Sequence, residues 1–259
     1  MSAAIEVKDV SLTFSIYRNR SPQLKEKIVT FNNRVEQSLD KVLKFPALQN
    51  ISLSIKEGER VGIIGFNGAG KSTLLRLILG IYPPDSGSIN VSGSVAPLLD
   101  LTGHFDFEST GRDNIYLHGA YLGYSPAEMK TIEDDVIDFA EIGDFVDIPV
   151  KYYSSGMVGR LAFAIATMLQ ADILLLDEVF AAGDGYYSKK ATDRMRRLID
   201  KSQIVVMVSH SVKNLQAVCN RIIWLHEGRT VDDGNVDDML AAYKNFIERK
   251  SDLLCLVSA

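Results

Sequence analysis

The segment that most restricts the fold is a glycine-rich stretch from Gly65 to Ser72. Its sequence, Gly-Phe-Asn-Gly-Ala-Gly-Lys-Ser, fits the pattern G-x-x-x-x-G-K-[S/T]. An apolar run, Val61 to Ile64, precedes it, and Ser72 to Leu79 continues at helical spacing. A glycine-rich turn between a strand and a helix can surround phosphate oxygens with backbone N–H groups, while Lys71 reaches the β- and γ-phosphates and Ser72 ligates Mg²⁺. We therefore expect a phosphate-binding loop in an α/β fold.

Composition places the chain among ordinary globular proteins. It has 259 residues, of which 46% are hydrophobic and 24% charged, with 28 Lys and Arg against 33 Asp and Glu. This balance lacks the excess of basic residues that is typical of proteins that bind nucleic acid. Cys219 and Cys255 are the only cysteines, which favours a reducing, cytosolic compartment. The longest apolar run, Leu161 to Ala166, has six residues, whereas a membrane helix needs about 20.

Alternation of strands and helices predicts a sheet assembled from both halves of the chain. Short apolar runs typical of buried strands occur at Ile173–Leu176, Ile204–Val208 and Arg221–Leu225. Between them, roughly residues 97–167 show helical periodicity, and Ser125-Pro126 is typical of a helix start. We expect a helical insertion in a mainly parallel sheet.

Two N-terminal segments, Ile5–Phe14 and Ala47–Ile55, alternate apolar and polar residues and are predicted to be edge strands. The segment 18–46 between them carries seven basic and three acidic residues, with apolar residues at helical spacing. An amphipathic helix is therefore predicted within it. The segment is either a solvated surface excursion or a docking surface for a partner or an anionic membrane.

A second chemical signal comes from Asp177 and Glu178, which follow the apolar run Ile173–Leu176. A carboxylate at the end of a buried strand is expected to hold Mg²⁺ opposite the phosphate loop. The next acid, Glu178, could then orient or deprotonate an attacking water.

Together these residues resemble the nucleotide-binding subunits of ABC transporters, from about Ile5 to Val236. Tyr153-Ser154-Ser155-Gly156-Met157 occupies the place of the family signature L-S-G-G-Q and departs from it at Tyr153, Ser155 and Met157. In the family this helix start contacts the γ-phosphate of ATP held by the other subunit. The family also has a Gln within the stretch matching Ala96–His104. None is present here, and Asp100 or His104 could substitute.

The resemblance implies a role for each matching position. Glu178 and His210 would be catalytic, and Ser72 and Asp177 would hold Mg²⁺. Phe14, or failing it Tyr17, would stack on adenine. The other residues expected to contact ATP are Gly65, Phe66, Asn67, Gly68, Ala69, Gly70, Lys71, Ser72, Thr73, Ser154, Ser155, Gly156, Met157 and Asp184.

The implied architecture is a P-loop NTPase fold with a RecA-like core. It has a mixed sheet, N-terminal antiparallel strands and an inserted helical subdomain. Residues 1–236 would form the ATP-binding domain, and residues 237–259 a helical tail with a short helix, Asp237 to Lys250, and an apolar end. We expect no carbohydrate-binding domain after it.

Several features resemble the polysaccharide-export branch of the family: the excursion 18–46, the missing Gln, the sequence around Ser154, and Ser109–Ile115. This branch implies a homodimer on the cytoplasmic face of the inner membrane, two copies of a separate permease, and a lipid-linked, O-antigen-like glycan as cargo. The alternatives are an ABC-2-type drug or lipid exporter, a soluble ABC ATPase of translation or DNA repair, and a P-loop small-molecule kinase.

Overall fold

The computed structural model of the chain describes residues 2–17, 36–37, 42–99, 101–103, 105–168, 170–177 and 185–257. They form two compact units. Unit 1 comprises Met1–Ala3, Glu57–Arg60 and Gly93–His210, and unit 2 comprises Ala4–Lys56, Val61–Ser92 and Ser211–Ala259. The glycine-rich loop belongs to unit 2, whereas Asp177 and the helical stretch belong to unit 1.

Strands and helices alternate along most of the described residues. The strands are β1 (Ala4–Tyr17), β2 (Glu36–Gln37), β3 (Val42–Lys56), β4 (Arg60–Ile64), β5 (Ser86–Ser92), β6 (Val95–Leu98), β7 (Ile173–Asp177), β8 (Ile204–Val208), β9 (Arg221–His226) and β10 (Arg229–Gly234). The α-helices are α1 (Lys71–Ile78), α2 (Gly111–Tyr121), α3 (Pro126–Ala140), α4 (Ser155–Met168), α5 (Gly185–Lys201), α6 (Val212–Val218) and α7 (Val236–Val257). Two 3₁₀ turns, Gly143–Asp147 and Val150–Tyr152, precede α4.

The N-terminal strands form an antiparallel sheet in unit 2. β1 pairs with β3 on one side and with β5 on the other, and β2 completes the order β2-β3-β1-β5. The predicted antiparallel strands are confirmed, but the prediction that β1 is an edge strand is wrong. Alternation shows only that one face of a strand is buried, and a central strand with one solvated face gives the same pattern.

The amphipathic helix predicted within 18–46 is wrong for the part of that segment that the structure describes. Residues 36–37 and 42–46 are strand, with Glu36 opposite Lys44 and Phe45 opposite Phe14. The ladder between β1 and β3 satisfies the backbone polar groups and overrides the helical spacing of the apolar side chains. Residues 18–35 and 38–41, on which the two interpretations of the segment mainly rest, lie outside the described residues.

Unit 2 also carries a second set of strands. β4 runs parallel to β9, with Val61 opposite Arg221 and Ile64 opposite Trp224, and β10 pairs antiparallel with β9. Residues 61–64 of β4 are buried, as their continuous apolar sequence predicts. The C-terminal helix α7 is longer than expected, because it continues through the apolar end to Val257.

In unit 1, β6, β7 and β8 form a parallel sheet in that order, and α2, α3 and α4 occupy the predicted helical stretch. α3 begins as predicted: the Ser125 side chain accepts a hydrogen bond from the Glu128 N–H, and the Glu128 carboxylate accepts one from the Ser125 N–H. This reciprocal capping satisfies two backbone donors that the helix cannot. Among the described residues, none of the helices combines the length and apolar character that crossing a membrane requires.

A carboxylate is buried between two helices of unit 1. Glu133 of α3 is 1% exposed. It accepts hydrogen bonds from Arg112 of α2, from the Tyr116 hydroxyl at 2.6 Å and from Lys130 Nζ at 2.8 Å. A buried carboxylate needs such partners to offset its lost hydration. The cluster therefore ties α2 to α3.

Replacing Glu133 by Ala should lower the free energy of unfolding by about 2–3 kcal/mol, because Arg112 and Tyr116 lose their acceptor inside the unit. The matched control is Asp134→Ala at the next position, where the side chain is exposed. It should change stability by at most about 0.5 kcal/mol. Urea denaturation followed by circular dichroism compares the two, and equal stabilities would contradict this role of Glu133.

Candidate nucleotide-binding site

The glycine-rich loop of unit 2 joins the end of β4 to the start of α1. Gly65, Gly68 and Gly70 have φ angles of +150°, +79° and +102°, a half of conformational space that residues with a Cβ atom rarely adopt. The turn is thus possible only because glycine occupies these positions. The predicted strand, loop and helix are all present.

Two of these glycines are also required by close packing. A Cβ atom at Gly65 would lie 2.2 Å from the Leu225 carbonyl oxygen, and one at Gly70 would lie 2.8 Å from the Ala47 carbonyl oxygen. Both obstacles are backbone atoms, which cannot move aside as a flexible side chain could. The loop therefore packs closely against the backbone of β9 on one side and of β3 on the other.

Lys71 lies inside the loop. It is 7% exposed, and its Nζ donates to the carbonyl oxygens of Gly65 at 2.8 Å and Phe66 at 3.1 Å. The Phe66 carbonyl also accepts from the Ala69 N–H at 3.0 Å, and the Ala69 carbonyl accepts from the Gly228 N–H at 3.0 Å. These bonds hold a positive charge at the centre of the turn, where it can meet a phosphate group.

The first turn of α1 suits an anion. Within the described residues, no side chain caps this helix start, so its N–H groups and the positive end of the helix dipole face the loop. Ser72 and Thr73 are half-buried in that turn, while Asn67 and Gly68 are exposed. The glycine cradle, the buried ammonium and the open helix start together fit a phosphate chain.

Phe14, a candidate for stacking on adenine, also lies in unit 2. Its half-buried ring makes an edge-to-face contact with Tyr82, with ring centroids 5.4 Å apart. The backbone of Tyr17 ends β1, and its side chain lies outside the described residues. The stacking of Phe14, or failing it Tyr17, on adenine therefore remains a prediction.

Unit 1 brings two other candidates to one sheet edge. Asp177 ends β7 and is in register with Val208, the last residue of the parallel strand β8. Ser209 and His210 follow directly; Ser209 is buried and His210 exposed. Asp177 and His210 therefore lie at the same carboxyl edge of this sheet, where α/β proteins bind ligands.

Oxygen donors at the two predicted metal positions fit Mg²⁺, which takes one or two protein oxygens together with phosphate oxygens. Ser72 supplies a half-buried hydroxyl in unit 2, and Asp177 a half-buried carboxylate in unit 1. Glu178 and Asp184 lie outside the described residues, as do Asp100 and His104, so their roles remain predictions.

The signature segment forms the start of α4. The Ser154 hydroxyl accepts a hydrogen bond from the Met157 N–H at 3.2 Å, and Ser154, Ser155 and Gly156 are exposed. A Cβ atom at Gly156 would meet only the Ser154 hydroxyl, at 3.9 Å. This exposed helix start has room for an anion approaching from outside unit 1.

Tyr153 explains one departure from the signature consensus. Its ring is buried, and its hydroxyl donates to the Phe145 carbonyl. Burial raises the pKa of the Tyr153 hydroxyl, so this donor stays protonated to a higher pH than an exposed tyrosine. Tyr153 thus anchors the start of α4 on the 3₁₀ turn Gly143–Asp147, a contact that sequence reasoning missed.

Gly228 was also missed as a contributor to the loop. It lies in the turn between β9 and β10, where Glu227 and Gly228 have φ angles of +51° and +73°. A Glu-Gly pair between two β-rich runs predicts a hairpin turn. Its hydrogen bond to Ala69, more than 150 residues earlier in the chain, has no local sequence signal.

Comparison with known proteins places these features in a family. The family model described as ABC transporter matches residues 48–181. The chain is 43% identical over 223 residues to the O-antigen export system ATP-binding protein RfbE of Yersinia enterocolitica, covering 85% of this chain and 93% of that protein. It is 39% identical over 246 residues to the O-antigen export system ATP-binding protein RfbB of Myxococcus xanthus, covering 94% of this chain but only 56% of that longer protein.

A solved structure supports the fold. An ATP-binding cassette, described as a dimer in a post-hydrolysis state with ADP and Pi, superposes with a TM-score of 0.66 over 90% of this chain and 98% of its own. The two sequences are 22% identical, so this likeness concerns the fold alone. The P-loop NTPase fold predicted from the sequence is confirmed.

Gly65→Ala should abolish measurable nucleotide binding, because the added Cβ atom collides with the Leu225 backbone. Gly80→Ala is the matched control: Gly80 also has a positive φ, +72°, but its Cβ atom would meet nothing within 4 Å. The control should lose about 1–2 kcal/mol of stability and retain its affinity. Equilibrium titration with a fluorescent ATP analogue measures the affinity of both variants. Normal binding by Gly65→Ala would contradict the phosphate-binding role of the loop.

Proposed function

The chain belongs to the ABC transporter family, and on that premise we propose that it is the ATP-hydrolysing subunit of an exporter. Its cargo would be a lipid-linked, O-antigen-like polysaccharide that crosses the inner membrane. The observation that carries this proposal is the match to an O-antigen export ATP-binding protein over 85% of this chain and 93% of that protein. The geometry of the glycine loop supports the nucleotide part independently.

In this proposal the loop of unit 2 holds the phosphates of ATP. Backbone N–H groups from Gly65 to Ser72 bind the phosphate oxygens, and the Lys71 ammonium moves from its carbonyl acceptors to the β- and γ-phosphates. Ser72 and Asp177 would hold Mg²⁺, which neutralises charge on those oxygens when bound. Phe14 or Tyr17 would stack on the adenine ring.

Hydrolysis requires a residue that takes a proton from water. We assign this role to Glu178, and we assign to His210 the positioning of Glu178 and the γ-phosphate. The placement of Asp177 and His210 at one sheet edge of unit 1 supports this assignment. Asp184 would contact ATP, as the family resemblance implies.

The signature helix start would complete the site of a second copy. Ser154, Ser155 and Gly156 are exposed, so they can contact the γ-phosphate of ATP bound to a partner subunit. Because such a site is complete only in a closed dimer, ATP binding favours closure and hydrolysis removes the contacts that maintain it. Closure would drive transport.

The helical stretch of unit 1 offers a surface for a permease. Two of its segments lie side by side, since the Lys151 N–H donates to the Phe107 carbonyl at 2.9 Å. Large apolar side chains on these segments are exposed: Phe107 by 47%, Ile148 by 37% and Tyr152 by 67%. Exposed apolar groups of this size mark interaction sites more often than scattered single residues do. We assign them to contact with a separate permease on the cytoplasmic face of the membrane.

Glu178→Gln should bind ATP and form the closed dimer but hydrolyse ATP at least about 100-fold more slowly, because the amide cannot accept the proton from water. Asp193→Asn serves as the matched control, since it makes the same exchange at an exposed position of α5 and should hydrolyse normally. Size-exclusion chromatography with ATP and a phosphate-release assay test this. A Glu178→Gln variant that stays monomeric with ATP and hydrolyses ATP at the normal rate would contradict the mechanism.

Replacing Phe107 and Tyr152 together by Ser should leave ATP hydrolysis by the chain alone within about 2-fold of normal, since both side chains are at the surface. The affinity for the permease should fall at least about 10-fold. Val231→Ser, which removes an exposed apolar side chain from unit 2, is the control. Co-purification with the permease gives the readout, and undiminished capture of the double variant would contradict the assignment.

A further inference from the structure

The second residue of the phosphate loop, Phe66, belongs to an aromatic cluster. We define it as Phe66, Trp224, His226, Tyr243 and Phe246, all in unit 2. The Phe66 ring centroid lies 5.9 Å from that of Tyr243, 6.1 Å from that of Phe246 and 6.2 Å from that of His226. These separations are typical of favourable aromatic pairs. The half-buried side chain of a loop residue thus packs on rings from β9 and α7.

The cluster is connected to the centre of the loop through one residue. The same Phe66 whose ring enters the cluster offers its carbonyl oxygen to Lys71 Nζ at 3.1 Å and to the Ala69 N–H at 3.0 Å. A displacement of the ring therefore displaces a carbonyl group that helps to place the buried ammonium.

Two rings of the cluster come from α7, outside the predicted ATP-binding domain. Tyr243 and Phe246 are three positions apart, so they share one helix face. That face also packs on Trp224 of β9, with ring centroids 5.5 Å and 5.0 Å apart. Another residue of α7, Met239, is buried against Gly234, with its Cε 3.4 Å from where a Cβ atom on that glycine would lie. The aromatic face of α7 thus contacts Phe66 of the loop, whereas Met239 packs elsewhere in the unit, on Gly234.

We infer that Tyr243 and Phe246 are positioning residues for nucleotide binding, acting through Phe66. By fixing the Phe66 ring, α7 fixes the loop backbone in the conformation that places Lys71. This inference rests on the proposed function, because it assumes that the loop binds ATP. Since linkage is reciprocal, ATP binding should in turn tighten the docking of α7, and a force on α7 should change the affinity for ATP.

The chain contains its own reporter of this coupling. Trp224 is the only tryptophan, it is 7% exposed, and its indole N–H has no hydrogen-bond partner among the described residues. Its emission therefore depends on packing against Tyr243 and Phe246. ATP should shift the fluorescence of Trp224 in the natural chain, and Phe66→Ala should remove that shift even at saturating ATP.

The decisive variant is Phe246→Ala. It should raise the Kd for a fluorescent ATP analogue by about 3- to 10-fold, while turnover at saturating ATP remains within about 2-fold, because no group that touches ATP is changed. Phe246→Tyr, which retains the ring, should restore the affinity. The matched control is Met239→Ala, which weakens the packing of α7 on Gly234 and should reduce stability without changing the Kd. If Phe246→Ala aggregates, Phe246→Leu retains the apolar volume and serves in its place.

A double-mutant cycle tests whether Phe66 carries the effect. Phe66→Ala combined with Phe246→Ala should bind ATP no more weakly than Phe66→Ala alone, because the two residues act in series. Additive losses, an unchanged Kd in Phe246→Ala, or equal increases in Kd for Phe246→Ala and Met239→Ala would each overturn the inference. A natural chain that binds no ATP would overturn the proposed function, and this inference with it.

Discussion

The hydrogen bonds between the Lys71 ammonium and the carbonyl oxygens of Gly65 and Phe66 are the interaction on which the candidate site depends. They require a turn that only glycine permits, and they place a positive charge at the start of α1. The rest of unit 2 supports that turn: Leu225 and Ala47 limit its outer side, and the aromatic cluster holds Phe66. Contacts within its own unit therefore fix the loop, and in the proposed function this preorganises it for phosphate.

A second helix start that could meet an anion lies in unit 1. The start of α1 adjoins a buried ammonium, whereas the start of α4 is capped by the Ser154 hydroxyl and leaves Ser154, Ser155 and Gly156 exposed. Tyr153 fixes the second helix start by donating to Phe145, while the buried carboxylate of Glu133 ties α2 to α3 nearby in the same unit. In the proposed function, one helix start binds ATP in its own subunit and the other completes the site of a partner.

Local patterns predicted much of this arrangement, and contacts distant in sequence were harder to predict. The strand, loop and helix around Lys71, the strand ending at Asp177 and the capped start of α3 each depend on neighbouring residues, so the sequence was sufficient for them. The prediction that β1 lies at a sheet edge is wrong because alternation reports a buried face and not the number of neighbouring strands. The support of the loop by Gly228, Tyr243 and Phe246 depends on residues more than 150 positions away, and no local pattern indicates it.

The central claim, that this ATP site drives a membrane exporter, is tested most directly by measuring ATP hydrolysis with and without the permease. The chain would be purified alone and together with a candidate permease, in lipid bilayers with or without a lipid-linked glycan. The account predicts that Lys71→Ala abolishes ATP hydrolysis. It also predicts that the permease and the glycan each change the rate of hydrolysis by the natural chain. A rate of ATP hydrolysis that no membrane protein changes, but that ribosomes, DNA or a small-molecule acceptor increase, would contradict it.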